Sequence, residues 1–287
     1  MAGKLALVMS GGGARGALEV GAVQALLEAG YKPDILVGTS IGAVNAVCLA
    51  LTGVDEQGVQ KMKDIFRQAA EVQVLPRDYL RLALRALAKR PVTEPSRRIR
   101  ELFIASGITP ELCFGDIKGV RLLLVATDLN HFTRVIYGLK PDESVLEAAM
   151  ASVALPPWVA PIEKNGMLLM DGGVVSNLPL EPALSAKPRE IIALDVKEWR
   201  DIPEDANGFG PLFNKLFNTV QKRQFDLEFS VATAARVPVR YIHLYADQPV
   251  PLYAFERWEE LIERGYNQAQ QAIREWPVKR KRWWTFA

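Results

Sequence analysis

The chain has 287 residues, 49% of them hydrophobic, which is enough to bury a large core in a single domain. Its 35 lysines and arginines stand against 33 acidic residues, and a net charge of +2 excludes a global electrostatic bias toward nucleic acid. The two cysteines, Cys48 and Cys113, lie far apart with no Cys-x-x-Cys spacing, so neither a disulfide framework nor a zinc site is expected, and both read as small hydrophobes in a reducing compartment.

The first apolar run, Leu5 to Met9, is short for a signal peptide and leads into glycines rather than a cleavage site. No later stretch has membrane-spanning length. The expectation is a cytoplasmic protein, soluble or peripheral to a membrane. Leu5 to Met9 reads as a strand, residues 10 to 16 as a glycine turn, and Ala17 to Ala29 as a helix closed by Gly30. The pattern then repeats, with a strand at Asp34 to Val37, a tight turn at Gly38 to Gly42 and a small-residue helix at Ala43 to Leu51. Two βα units in succession predict a parallel sheet. Residues 55–110 read as helical and charged, an insertion over one end of the sheet that is a candidate lid. Further strands are expected at Arg121 to Thr127, Thr133 to Tyr137, Met167 to Met170, Glu190 to Val196 and Arg240 to Tyr245, with Asp201 to Gly210 as a loop. The predicted fold is a three-layer α/β/α sandwich around a mostly parallel sheet, with residues 1–287 in one domain. Its motif-bearing core spans about 5–196, followed by an extension at 197–287.

Gly11-Gly12-Gly13-Ala14-Arg15-Gly16 fits G-x-G-x-x-G between a strand and a helix, as a dinucleotide-binding oxidoreductase requires. In that fold an acid at the end of the second strand meets the ribose, whereas here Asp34 opens the strand and Gly38-Thr39-Ser40 closes it. Gly38-Thr39-Ser40-Ile41-Gly42 is instead a Gly-x-Ser-x-Gly nucleophile elbow. A sharp strand-to-helix turn presents the serine, and small flanking residues avoid clashes at the bend. Ser40 is thus the candidate nucleophile of an acyl-ester hydrolase. The N–H groups of Gly11, Gly12 and Gly13 are candidate oxyanion donors, an effect worth about 3 kcal/mol per donor.

A serine nucleophile needs a base. The only histidines are His131, which reads as structural at a hairpin turn, and His243, inside a predicted strand. A base other than histidine is therefore expected. Asp171, ahead of Gly172 and Gly173 and directly after Met167 to Met170, places a carboxylate at a strand end. It reads either as that base or as an ordinary Asp-Gly hairpin turn.

Together these motifs resemble the patatin-like phospholipase family: a glycine-rich loop, Gly-x-Ser-x-Gly, and Asp-Gly-Gly, in that order. Ala151-Ser152-Val-Ala-Leu-Pro156 and Asn177-Leu-Pro179 match further blocks of the family, and the likeness spans residues 5 to about 196. The resemblance implies a Ser40–Asp171 dyad, an oxyanion hole at Gly11, Gly12 and Gly13, and lipid acyl esters as substrates. It places Arg15 at the family's basic loop position, holding the loop rather than touching substrate, with Gly16, Gly38, Gly42, Gly172 and Gly173 as supporting motif residues. No cofactor and no metal are expected. An aspartate of ordinary pKa near ~3.9 is a weak base for a hydroxyl, so burial is expected to raise its basicity. A noncatalytic lipid-binding module on the same fold is a further alternative.

Arg77, Arg81, Arg85 and Lys89 recur every four positions, Arg97, Arg98 and Arg100 follow, and Lys279 to Trp284 pairs cations with tryptophans. These segments read either as solvated charge or as contacts with an anionic membrane.

Overall fold

Alternation along the strands divides the core into two halves. In β1 (Leu5–Met9), Leu5, Leu7 and Met9 join one apolar cluster while Ala6 and Val8 join another. The same division holds in β2 (Ile35–Thr39), β3 (Arg121–Asp128) and β7 (Glu190–Asp195), whose side chains are buried on both faces of the sheet. Such strands demand helices on both sides. A computed structural model describes residues 3–76, 94–198 and 209–276 and supplies them.

On the first face lie α1 (Gly16–Glu28), α2 (Ile41–Thr52), α3 (Glu56–Glu71), α4 (Glu94–Ala105), α5 (Val145–Ser152) and α8 (Trp258–Glu275). On the second lie α6 (Leu180–Leu184), through Leu180 and Ala183, and α7 (Phe209–Ala234), through Phe225 and Phe229. The result is the expected three-layer α/β/α arrangement. Among the described residues the sheet has eight strands in the order β5-β6-β3-β2-β1-β7-β8, where β5 is Ile162–Lys164, β6 Met167–Asp171 and β8 Val239–His243. The stretch from β3 to β8 is parallel, β5 and β6 run antiparallel, and β4 (Thr133–Tyr137) pairs with β3 off this path.

One register detail decides where the site forms. β2 pairs with β3 up to Thr39↔Val125, and β6 takes over at Ala126↔Asp171. β4 pairs with β3 opposite both partners, from Leu124 to Asp128. β2 and β6 therefore share one edge of β3 and meet almost end to end.

Three expectations change. Asp171-Gly172 does not make a hairpin turn, because the chain continues into a 3-10 helix at Gly172–Val174. The loop foreseen to Gly210 ends earlier, since α7 begins at Phe209. Helix α3 is no loose cover. Val59, Met62, Ile65, Phe66 and Ala69, spaced three and four apart, are buried within the first cluster. Asp55 caps this helix by accepting the Gln57 N–H at 2.9 Å. The short β5 was not foreseen; two of its three residues, Glu163 and Lys164, are charged. The run at Arg77, Arg81, Arg85 and Lys89, and the Lys279 to Trp284 segment, lie outside the described residues.

Candidate active site

The turn between β2 and α2 puts Ser40 at φ 55°, ψ −124°, a backbone conformation that costs free energy for a residue with a Cβ. Packing enforces it. A Cβ on Gly42 would stand 2.3 Å from the Met9 carbonyl oxygen, and one on Gly38 would stand 2.2 Å from the Gly42 carbonyl oxygen. Only glycine lets the elbow close this tightly. The strained serine's own N–H donates to Ser152 Oγ at 2.9 Å, and the Ser152 hydroxyl donates to the Val125 carbonyl at 2.7 Å.

Asp171 arrives at the end of β6, where the handover on β3 brings it beside Ser40. The Ser40 hydroxyl donates to Asp171 Oδ2 at 2.6 Å, across 131 positions of sequence. Oδ1 accepts the Gly173 N–H at 2.8 Å, and the Asp171 carbonyl accepts from Thr127 Oγ1 at 2.9 Å. Gly172 is wedged so closely that a Cβ there would lie 2.3 Å from the Val125 carbonyl oxygen. The aspartate is 3% exposed. Burial pushes its carboxyl up to about 6, with the Ser40 and Gly173 hydrogen bonds pulling the other way.

The glycine loop borders the same place, and its donors divide. Gly11 does not meet the expectation of an oxyanion donor, because its N–H is committed to the Asn177 carbonyl at 3.1 Å. Asn177 Nδ2 in turn donates to the Gly11 carbonyl at 3.3 Å, so Asn177 latches the loop from both sides. The N–H groups of Gly12 and Gly13 have no acceptor among the described residues. Arg15 contacts the loop: Nε donates to the Gly12 carbonyl at 3.1 Å, and Nη1 pairs with Glu198 at 3.1 Å. Gly16, the first residue of α1, packs against Ile41 just past the serine.

Glu19 ties these parts together. Fully buried in α1, it accepts the Ser10 N–H at 2.8 Å and Asn45 Nδ2 at 2.8 Å, joining the end of β1 to α2. Burial raises its pKa well above the ordinary carboxylate value. Sequence reasoning passed over Glu19, Ser152 and Asn177 as working parts. For Glu19 the one local signal is a carboxylate set among apolar residues in the first turns of α1.

Neither histidine lines this cavity. His131 Nδ1 pairs with Asp128 at 2.5 Å, and His243 Nε2 bonds the Lys197 carbonyl at 2.8 Å. Arg97 and Arg98 form ion pairs with Glu101 and Glu94 on their own helix, as a solvated charged face does. Among the described residues, no group of three or more His, Cys, Asp or Glu is arranged to hold a metal ion.

Ser40, Asp171 and the glycine loop open into a cavity of about 600 Å³ whose wall is mostly apolar, including Val44, Ile65, Ile99, Phe103, Val159 and Phe255. Its size is that of a small-molecule site.

Fold and site define a class, an α/β protein with a strained serine hydrogen-bonded to a buried aspartate beside a glycine loop. The sequence model described as Patatin-like phospholipase matches residues 7–184, and the chain belongs to the patatin-like phospholipase family. It is 31% identical over 298 residues to Patatin-like phospholipase domain-containing protein 7 of Mus musculus, covering 95% of this chain and 21% of that protein. It is 25% identical over 303 residues to Lysophospholipase NTE1 of Cryptococcus neoformans, covering 97% of this chain and 18% of that protein. The chain thus spans about a fifth of the length of these two curated relatives. Among solved structures, VipD from Legionella pneumophila shares the fold, with a TM-score of 0.55 at 16% identity over 95% of this chain and 67% of that one. The dinucleotide reading of the glycine loop gives way to this family, in keeping with a second strand that ends in Thr39 and a nucleophile elbow rather than an acid.

Proposed function

We propose that this chain hydrolyses lipid acyl esters through Ser40 and Asp171. The observation that carries the reading is the 2.6 Å hydrogen bond from Ser40 Oγ to a carboxylate whose burial has raised its pKa to about 6. Such a carboxylate is still ionised at neutral pH, yet it is a stronger base than an exposed aspartate. As Ser40 Oγ attacks the ester carbonyl, Asp171 takes its proton, and the oxyanion of the tetrahedral intermediate is received by the free N–H groups of Gly12 and Gly13. Asp171 then returns the proton to the departing alcohol, leaving an acyl-enzyme. Water, deprotonated by the same carboxylate, releases the fatty acid.

The apolar cavity supports a hydrocarbon chain as the acyl group, since each buried methylene contributes about 0.8 kcal/mol to binding. Family membership and a relative named as a lysophospholipase support lipid esters over esters in general. No helix among the described residues is long and apolar enough to cross a membrane. Contact with an anionic membrane surface remains part of this proposal, resting on the cationic runs of the sequence.

A fluorophosphonate probe is expected to label Ser40 in the wild type and not in Ser40→Ala, and single-chain and double-chain phospholipids are expected to release fatty acid. A folded wild-type protein that neither takes the label nor hydrolyses any acyl ester would overturn the reading in favour of a noncatalytic lipid-binding module.

A further inference from the structure

The cavity wall carries a charge that ester cleavage does not call for. Arg15 is engaged with Glu198 and the Gly12 carbonyl. Beside it Lys197, 8% exposed, lines the same cavity as Ser40. It follows Val196, whose side chain lies against Gly12 of the oxyanion loop. Its backbone N–H donates to Asp195 Oδ1 at 2.9 Å and its ammonium to Gln221 Oε1 at 2.9 Å. Gln221 Nε2 then donates to the Gly173 carbonyl at 2.8 Å, two residues beyond Asp171. The ammonium is thus aimed by a relay anchored on the turn that carries the dyad carboxylate.

Position and chemistry agree on what such a group receives. β7 pairs with β1 and β1 with β2, so Lys197 and Ser40 stand at strand ends two inter-strand spacings apart, on the order of 10 Å. A glycerophospholipid carries its phosphate a few bonds from the scissile carbonyl, a reach that this gap accommodates once the lysine side chain is counted. Burial pulls the ammonium pKa down to about 8, with Asp195 opposing the shift and Arg15 adding to it. A phosphate oxygen offsets that desolvation with a charge-assisted hydrogen bond. We propose that Lys197 is a specificity residue that receives the head-group phosphate of the substrate, so that the site favours acyl esters of phosphate-bearing alcohols over neutral ones. This rests on the hydrolase reading above, and its test includes an arm that needs no hydrolysis.

The probes are a single-chain alkyl-glycerophosphocholine ether, the matching alkylglycerol ether and inorganic phosphate. Each is titrated calorimetrically below micelle-forming concentration into wild type, Lys197→Gln and Lys197→Arg. Wild type is expected to prefer the phosphocholine ether. Lys197→Gln should lose that preference by about tenfold to a hundredfold while binding the alkylglycerol unchanged, and Lys197→Arg should keep most of it. With the corresponding esters, the loss should fall on KM more than on kcat. Equal binding of the two ethers by wild type overturns the proposal, and so does a preference that survives in Lys197→Gln. Parallel loss of both ethers marks Lys197 as structural support for Gln221, and inorganic phosphate binding as tightly as the lipid marks a free-anion site; either result overturns it too. Ether preference without hydrolysis of either ester upholds Lys197 and sinks the hydrolase reading instead.

Discussion

Ser152 stands beneath Ser40, accepting its backbone N–H at 2.9 Å while giving its own hydroxyl proton to the Val125 carbonyl at 2.7 Å. The strained serine is thereby tied to β3, the strand beside its own. In Ser152→Ala the Ser40 N–H loses its acceptor, and a buried donor left unpaired costs about 1–3 kcal/mol. Thermal unfolding should show that loss, and kcat should fall with KM little changed. An unaltered kcat would mean that the elbow holds its conformation without this brace.

Asp171→Asn should abolish ester hydrolysis yet stabilise the fold. In the unfolded chain an aspartate titrates near ~3.9, whereas burial holds Asp171 at about 6. Below the unfolded value both states are protonated and the group contributes nothing either way. Between the two values the folded state binds the proton that the unfolded state has released, so stability falls as pH rises, by roughly 3 kcal/mol in all. The asparagine variant escapes that loss. Its melting temperature should exceed the wild type's at pH 7 and match it near pH 4. Equal melting temperatures at both pH values would show that the carboxylate is not destabilised by its site.

The same carboxylate sets the acid limb of activity. kcat/KM should fall about tenfold per pH unit below pH 6, as Asp171 takes up the proton that it must remove from Ser40. His131→Ala and His243→Ala should keep that limb and retain activity, because His131 is bonded to Asp128 and His243 to the Lys197 carbonyl. Activity lost in His243→Ala together with activity kept in Asp171→Asn would point to a histidine base.

Gly42→Ala tests the elbow's packing. Its Cβ would press on the Met9 carbonyl oxygen at 2.3 Å, backbone against which no side chain can rotate away. The expected destabilisation is about 3 kcal/mol or more, read from denaturant unfolding. A fully stable Gly42→Ala protein would show that β1 and α2 can separate at little cost.

Local patterns revealed much of this in advance. β1 and β2 announce themselves as apolar runs stopped by glycines, and each following helix begins where the small residues resume. What local patterns lack is the third dimension. The Ser40–Asp171 contact joins positions 131 apart, and the residues alone left Asp171 open between a base and an Asp-Gly turn, with the family likeness favouring the base. Asn177 and Ser152 stand in the sequence as parts of family blocks without a stated role, which comes only where the sheet brings Asn177 against Gly11 and α5 carries Ser152 beneath the elbow. Lys197 was one cation among many, because only the neighbouring strand and α7 reveal that it is buried. Gly11 was assigned a free N–H that pairing with Asn177 takes away.

The end-to-end meeting of β2 and β6 on one edge of β3 makes that strand a gauge for the reaction. Val125 is the last rung held by β2, and Ala126 is already opposite Asp171. One residue inserted between them would shift the carboxylate by about 3.3 Å along the strand and turn it to the other face. A change of length in the loop before Arg121 leaves this pairing intact, whereas a change of spacing at the junction does not.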